Sequence, residues 1–272
     1  MNKKVFACLL AVVMLLGLIV VPAAAKAEGE EAKEIVILYT NDVHCGIVDG
    51  LGYAGVARVK AAFEAAGKEV ILVDNGDATQ GDVIGTLSKG EAIVELMNAV
   101  GYDVATIGNH EFDYGMEQFN KNVSLAKFQY VCCNFLNDKG EAVLKPYTIV
   151  EKAGKKIAFV GIDTPEAFTK STPVYFQDGE GNYIFSFCEG NNGQDLYDKV
   201  QETVDADQKP RYTLYGICLC GLFDPFVNGV LFDNSERFEH IKIIRCVGLE
   251  DMGCNVFGIP CDIPVQCVQH LL

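Results

Sequence analysis

Between residues 34 and 133, apolar runs alternate with stretches in which apolar residues recur at helical spacing. The runs rich in Ile, Val and Leu predict buried strands over Glu34–Thr40, Val70–Val73, Asp103–Ile107 and Phe128–Cys133. The helical spacing predicts helices over Tyr53–Ala66, Glu91–Val100 and Met116–Ala126, and the glycines from Gly76 to Gly90 predict a loop. This alternation predicts parallel βαβ units, with helices covering the faces of the sheet. In such sheets the functional groups gather beyond the carboxyl ends of the strands.

From Pro146 onward the pattern changes. Tyr147–Val150 and Lys156–Ile162 predict two strands joined by a turn at Ala153 and Gly154, and therefore a hairpin or a second sheet. Asp195–Ala206 predicts a further helix. After residue 210 the periodicity fades, and only Tyr212–Leu222 remains strand-like.

The first 25 residues have the pattern of a secretory signal peptide. Lys3 and Lys4 precede the unbroken apolar run Val5–Val21, and Ala23–Ala25 is a small-residue cleavage pattern. The run lies at the lower edge of a membrane-spanning length, so an uncleaved anchor is the alternative. We expect an exported protein, extracellular, at the cell surface or periplasmic, with no integral membrane role beyond this segment. The expected organisation is a signal peptide at 1–25, an acidic linker at 26–33, a folded domain at 34–210 and a divergent Cys-rich tail at 211–272.

Charge narrows the range of partners. The formal net charge of −15 repels a nucleic-acid backbone, so we expect no DNA or RNA partner. A small phosphate ester remains a plausible substrate because bound cations would invert the local field. Six of the 11 cysteines fall between Cys218 and Cys267, and export would permit disulfides among them, in any of 15 pairings.

Three polar segments follow three of the predicted strands. They are Thr40–His44 (TNDVH), Asn75–Asp77 (NGD) and Gly108–Asp113 (GNHEFD). An Asp-x-His segment or a Gly-Asp pair by itself is often ordinary turn chemistry. The Gly-Asn-His-Glu segment is more specific, and the three segments together, in this order, favour a cation site for phosphate-ester chemistry.

Hydrolysis of a phosphate ester requires a nucleophile, charge neutralisation at phosphorus and a proton for the leaving oxygen. Two divalent ions roughly 3.5–4 Å apart supply the first two. Asp42 and His44, two apart on an extended segment, are expected to chelate one ion. Asp77 is the expected bridging carboxylate because Gly76 lets the backbone approach closely. Asn109 offers a neutral oxygen to the second ion.

The proton is expected to come from His110. Its imidazole could stabilise the phosphoryl group or protonate the leaving oxygen, and Asn109 and His110 are the expected substrate contacts. Asp113, three residues later, is close enough to orient the ring and to raise its pKa. Cys45 beside His44 is expected to be a bystander, and Cys132 and Cys133 are expected to be core residues.

These segments resemble the calcineurin-like metallophosphoesterases, and most closely the exported bacterial 5′-nucleotidase/2′,3′-cyclic phosphodiesterase family. ILYTNDVH, VDNGDATQGD and TIGNHEFDYG resemble the first three blocks of that family, and Leu144–Glu166 resembles its following hairpin and strand. The resemblance covers about residues 34–206. It implies a four-layer α/β/β/α sandwich, here incomplete at its C-terminal side, and two divalent cations such as Mn, Zn or Co.

The same resemblance implies residue roles and a reaction. The implied metal ligands are Asp42, His44, Asp77 and Asn109, and the implied catalytic dyad is His110 with Asp113. The implied reaction is hydrolysis of a nucleotide by attack of a metal-bridged hydroxide on phosphorus, releasing inorganic phosphate.

The chain departs from that family after residue 206. The family completes its metal site with three later histidines, two of them in a Gly-His-x-His segment, whereas this chain has only four histidines, His44, His110, His240 and His270. Cys218 and Cys220 stand where the first later ligand is expected, and we expect this chain to lack the family's C-terminal nucleotide-binding domain. Three explanations stay open: a truncated or frame-disrupted reading frame, replacement ligands from the tail, or an exported binding module that has lost turnover.

Overall fold

Two five-stranded β-sheets form the centre of the structure. The computed structural model describes residues 34–48, 50–190 and 194–206, together with the backbone of four strands beyond residue 212. The predicted signal peptide and linker lie outside the described residues, as do the tail residues Cys218, Cys220, His240 and His270.

The described elements follow the predicted alternation closely. The helices are α1 (Gly52–Ala65), α2 (Val83–Ser88), α3 (Glu91–Val100), α4 (Gly115–Leu125), α5 (Ala167–Lys170) and α6 (Gln194–Ala206), with 3₁₀ turns at Asn109–Phe112 and Pro173–Phe176. The strands are β1 (Ile35–Thr40), β2 (Glu69–Asp74), β3 (Val104–Ala105), β4 (Gln129–Tyr130), β5 (Leu136–Asn137), β6 (Tyr147–Lys152), β7 (Lys155–Val160), β8 (Phe185–Ser186), β9 (Thr213–Gly216), β10 (Val230–Phe232), β11 (Ile241–Ile243) and β12 (Val265–Cys267).

The first sheet has the strand order β12-β1-β2-β3-β4, and every pairing in it is parallel. In the β1–β2 register, Ile35 lies beside Glu69 and Thr40 lies beside Asp74. The carboxyl ends of β1, β2 and β3 therefore meet at one edge of the sheet, and the polar segments that follow them start side by side.

The second sheet has the strand order β11-β10-β9-β7-β6. Strands β6 and β7 form the predicted antiparallel hairpin, and the turn between them places Ala153 and Gly154 at φ angles of 48° and 69°. Strand β9 pairs with β7 in parallel, so the strand predicted within Tyr212–Leu222 is present over Thr213–Gly216. Strands β5 and β8 form a separate two-stranded antiparallel sheet.

Alternate residues of the strands pack on opposite layers. Val36 and Leu38 of β1 pack in the cluster that contains Ile93 and Met97 of α3, on the helix side of the first sheet. Ile35 and Ile37 of the same strand pack in a cluster with Ile157 and Phe159 of β7, between the sheets.

On the far side of the second sheet, Ala158 and Val160 of β7 pack with Leu196, Val200 and Val204 of α6. The layers are therefore helices, sheet, sheet and helix, and the predicted four-layer α/β/β/α sandwich is confirmed. Burial on both faces explains why these strands read as continuous apolar runs in the sequence.

The prediction of a loop throughout Gly76–Gly90 was wrong, because it contains α2. Asp82 caps the start of this helix by accepting a hydrogen bond from the Val83 backbone N–H, and Lys89 ends it in a left-handed conformation. Gly85 is buried inside α2, and a Cβ there would lie 2.2 Å from the Cys45 sulfur. A six-residue helix shows no clear periodicity, so its contact with the segment after β1 decides it.

Strand β4 is shorter than predicted because the chain leaves the first sheet after Tyr130. The Val131 N–H still donates to the Ala105 carbonyl, at 2.9 Å, but the Cys133 N–H donates to the Gly161 carbonyl, at 2.7 Å. The chain thus passes from one sheet toward the other. Among the described residues, no helix combines the length and the apolarity that crossing a membrane would require.

Candidate metal centre

Three loops at the carboxyl edge of the first sheet carry the predicted site residues. We name them by the strand that each follows: the β1 loop (41–48), the β2 loop (75–82) and the β3 loop (106–114). The β1 loop carries Asp42 and His44, the β2 loop carries Asp77, and the β3 loop carries Asn109, His110 and Asp113.

The β1 loop is held on the β2 loop by backbone hydrogen bonds. The Asp42 N–H donates to the Gly76 carbonyl at 3.2 Å, and the His44 N–H donates to the Asp77 carbonyl at 3.0 Å. Asp42, His44 and Asp77 have positive φ angles of 52°, 45° and 57°. The expectation of an extended segment from Asp42 to His44 was therefore wrong, because this pairing curls the loop. Such left-handed conformations cost roughly 1–3 kcal/mol per residue and are concentrated at functional sites.

Two glycines let the β2 and β3 loops approach each other. Gly76 has a φ angle of 93°, and a Cβ there would lie 2.5 Å from the Gly108 nitrogen and 2.7 Å from the Ile107 carbonyl carbon. A Cβ on Gly108 would lie 2.5 Å from Oδ1 of Asp77. The close backbone approach expected at Gly76 is therefore present, and its partner is the β3 loop.

The side chains of the three loops converge. One ligand atom each from His44, Asp77 and His110 lies within 4.8 Å of the other two. The two imidazole rings meet edge to face, with centroids 4.9 Å apart. Asp42 lies at the margin of this cluster, with its Oδ1 3.5 Å from His44 Nε2. Asn109 is buried in the same 3₁₀ turn as His110.

His44 is fixed with one ring nitrogen turned toward the cluster. Its Nδ1 lies 3.1 Å from the Gln80 carbonyl oxygen, and because a carbonyl oxygen only accepts, Nδ1 is the donor. Nε2 is left facing Asp42. A backbone carbonyl in this position is the usual support of a metal-binding imidazole.

His110 and Asp113 form the predicted pair. Nδ1 of His110 lies 2.6 Å from Oδ2 of Asp113, and the other carboxylate oxygen accepts a hydrogen bond from the Ser171 hydroxyl at 3.2 Å. The hydrogen bond to Asp113 raises the pKa of His110, against the opposing effect of burial. The protonated imidazolium is therefore favoured, as an acid requires.

The remaining site pKa values also reflect crowding of charge. The hydrogen bond to Asp42 raises the pKa of His44 to about 9, although burial opposes the shift. Burial tends to raise the pKa of Asp42, but the interactions with His44 outweigh it and leave the value lowered. Burial, helped by the charge of Glu111, raises the pKa of Asp77 to about 7. Burial also raises the pKa of Cys45 to about 11, so this thiol is a poor nucleophile, as expected of a bystander.

The donor set fits divalent cations. Imidazole nitrogen with carboxylate and amide oxygen suits Zn²⁺, Mn²⁺ and similar ions. The buried Asp77 carboxyl has a strongly raised pKa and meets no Lys or Arg in an ion pair among the described residues, so a cation beside it would relieve the cost of its ionisation. The candidate ligands would be Asp42, His44, Asp77 and Asn109.

Sequence reasoning missed two contributors to this arrangement. Glu111 is a buried carboxylate hydrogen-bonded to both the β2 and β3 loops, and Ser171 reaches Asp113 from 58 positions along the chain. The adjacency of Glu111 to His110 was a visible signal for the first. Nothing local in the sequence marks Ser171.

A sandwich of two sheets with Asp and His side chains gathered at one carboxyl edge defines a metal-dependent phosphoesterase architecture. The chain belongs to the calcineurin-like phosphoesterase family, which it matches over residues 35–207. Members of this family use divalent metal ions.

Several proteins are similar to this chain. It is 28% identical over 200 residues to the trifunctional nucleotide phosphoesterase protein YfkN of Bacillus subtilis. The aligned region covers 61% of this chain and 14% of YfkN. It is 31% identical over 161 residues to a 5′-nucleotidase of Vibrio cholerae. That alignment covers 56% of this chain and 29% of the nucleotidase. The solved structure of Haemophilus influenzae NAD nucleotidase superimposes on 68% of this chain, with 25% identity and a TM-score of 0.53, and the match covers 33% of the nucleotidase chain. The chain thus spans at most about a third of the length of these proteins.

Proposed function

We propose that this protein is a metal-dependent hydrolase of nucleotide phosphate esters, of the 5′-nucleotidase type, that releases inorganic phosphate. The observation that carries the proposal is the convergence of His44, Asp77 and His110, whose ligand atoms lie within 4.8 Å of one another beside the His110–Asp113 pair. The names of the relatives, a nucleotide phosphoesterase and a 5′-nucleotidase, support nucleotides as the substrate class.

In this proposal Asp42, His44, Asp77 and Asn109 hold two divalent cations, of which Mn, Zn and Co are candidates. When bound, such ions acidify water to provide the nucleophile and neutralise charge on the phosphoryl oxygens. Asp77 would contribute to holding both ions, because the β2 loop lies between the other two loops and backbone hydrogen bonds tie it to the β1 loop. Asn109 and His110 also contact the phosphoryl group.

His110 supplies the proton. Asp113 accepts from Nδ1 and stabilises the imidazolium, so the ring turns its other nitrogen away from Asp113. An imidazolium in that position can hydrogen-bond the phosphoryl group and donate its proton to the leaving oxygen. This pairing favours hydrolysis over a catalytically silent binding module, since binding alone does not require an oriented acid.

The acidic chain as a whole suits a small ester and not a nucleic acid. We also propose that the protein is exported and that cleavage after Ala25 removes the signal peptide. Determining the N-terminus of the protein recovered outside the cytoplasm would test this, and an intact Met1 would contradict cleavage.

The direct test is phosphate release from AMP by purified protein supplied with Mn²⁺. His110→Ala should lower kcat by about 10²–10⁴-fold, the usual contribution of a general acid, with Mn²⁺ content largely unchanged. His44→Ala is the matched comparison, since it should lower Mn²⁺ content as well. An unchanged rate in His110→Ala would refute the role of His110, and wild-type protein that binds Mn²⁺ without releasing phosphate would refute the hydrolase assignment.

A further inference from the structure

Glu111 is the most extensively hydrogen-bonded buried carboxylate next to the metal centre, and none of the proposed steps uses it. It lies in the same 3₁₀ turn as Asn109 and His110 and exposes only 4% of its surface. Among the described residues it forms no ion pair with Lys or Arg. A buried carboxylate needs compensation for its lost hydration, and here backbone donors provide it.

The carboxylate of Glu111 joins the β2 and β3 loops. Its Oε2 accepts from the backbone N–H of Asp77 at 2.8 Å and from that of Gly108 at 2.7 Å. Its Oε1 accepts from the Ala78 N–H at 2.9 Å and, more weakly, from the backbone and hydroxyl of Thr79 at 3.4 and 3.3 Å. One side chain thus gathers donors from both loops.

The contact between the loops is reciprocal. While Glu111 of the β3 loop accepts from the Asp77 backbone, Oδ1 of Asp77 accepts from the His110 backbone N–H at 2.7 Å. Each loop therefore places a carboxylate on the backbone of the other. This exchange holds Asp77 in its left-handed conformation and fixes its spacing from His110.

The chemistry of the contact requires a carboxylate with the length of Glu. All of its backbone partners are N–H donors, so an acceptor with two oxygens satisfies them, and charge-assisted hydrogen bonds of this kind are about twice as strong as neutral ones. Gln would turn an NH₂ group toward N–H donors on one side. Asp keeps the charge but is one methylene shorter.

We propose that Glu111 is a positioning residue that holds Asp77 and His110 at the spacing that cation binding requires, and thereby sets the affinity of the centre for divalent ions. The inference rests on the proposed metal centre of the preceding subsection. It assigns Glu111 no contact with cation or substrate: the residue acts through the Asp77 backbone and the β3 turn. Groups that support metal ligands in this indirect way commonly change metal affinity about 10–100-fold when removed.

The test is a calorimetric titration of the chelator-stripped full chain with Mn²⁺ alone, which measures the affinity for the ion. Glu111→Gln and Glu111→Asp should each weaken Mn²⁺ binding by about 10–100-fold. Glu202→Gln, at an exposed side chain of α6 paired with Lys199, makes the same chemical change on the far side of the second sheet and should leave the affinity unchanged. Near-UV circular dichroism confirms that each variant is folded, and if Glu111→Gln does not fold, Glu111→Asp decides the question.

A second measurement separates positioning from general structural support. With AMP as substrate, saturating Mn²⁺ should restore most of the kcat of a Glu111 variant, whereas it should not restore His110→Ala. Folded Glu111 variants that bind Mn²⁺ with wild-type affinity would overturn the inference, whatever their stability. Failure of the hydrolase proposal would be seen separately, as wild-type protein that binds Mn²⁺ but releases no phosphate.

Discussion

Gly76→Ala tests whether close approach of the β2 and β3 loops is what builds the site. Gly76 combines a φ angle of 93° with a Cβ position only 2.5 Å from the Gly108 nitrogen. Ordinary contacts between such atoms are about 3.5 Å, so the methyl group would push the loops apart by about 1 Å. The variant therefore imposes two costs, one conformational and one steric.

The two costs can be separated by a matched control. Gly181 has a φ angle of 89° in an exposed turn, and a Cβ there would have nothing within 4 Å. Gly181→Ala should therefore lose free energy of unfolding only through the cost of the left-handed conformation, roughly 1–2 kcal/mol. Gly76→Ala should lose that amount plus about 1–3 kcal/mol for overpacking. Urea unfolding of both variants in the presence of a chelator measures the difference without a contribution from bound metal.

The functional consequence should be larger than the change in stability. A displacement of about 1 Å between Asp77 and His110 is expected to lower kcat/KM for AMP by about 10²-fold. Gly181→Ala should retain wild-type kcat/KM because its turn lies outside the three loops. Equal losses of unfolding free energy in the two variants, with wild-type kcat/KM in Gly76→Ala, would refute the argument that the loop approach builds the site.

Three further predictions concern the surroundings of the centre. Ser171→Ala should lower kcat several-fold without changing Mn²⁺ affinity, because the hydroxyl holds Asp113 but contacts no proposed ligand. Ser124→Ala, which removes a hydroxyl on an exposed helix, is the control. A loss of Mn²⁺ affinity in Ser171→Ala would contradict the assignment of Ser171 to the support of Asp113. Burial raises the pKa of Asp74 to about 8, so folding takes up a proton between about pH 4 and pH 8. As pH rises through that window, the free energy of unfolding of the wild type should fall relative to that of Asp74→Asn, by up to about 1.4 kcal/mol per pH unit. Parallel pH profiles of unfolding free energy for these two proteins would show that the Asp74 carboxyl is already ionised in the fold. Chelation should lower the melting temperature, and returning Mn²⁺ should raise it progressively with concentration; a melting temperature independent of Mn²⁺ would contradict a cation site in the folded state.

Local sequence patterns determined the elements and their order. The helix Glu91–Val100 was predicted with its observed bounds because four apolar residues at helical spacing pack against the core, two of them only partly buried, and a glycine lies at each end. The buried strands were evident as apolar runs, and their alternation with helices predicted a parallel sheet. That arrangement alone brought Asp42, Asp77 and Asn109 to one edge, since parallel strands end on the same side.

Contacts between distant segments decided the rest. Glu111 joins the β2 and β3 loops because its carboxylate accepts hydrogen bonds from backbone N–H groups more than 30 positions earlier. The Ser171 hydroxyl donates to Asp113 across 58 positions. The left-handed backbone at Asp42 and His44, where an extended segment was expected, follows from pairing with the β2 loop. Periodicity reports the local preference of the chain, whereas hydrogen bonds between loops depend on which strands become neighbours. The sequence alone therefore determined which side chains are available at this edge, and only the tertiary structure decided how they are held.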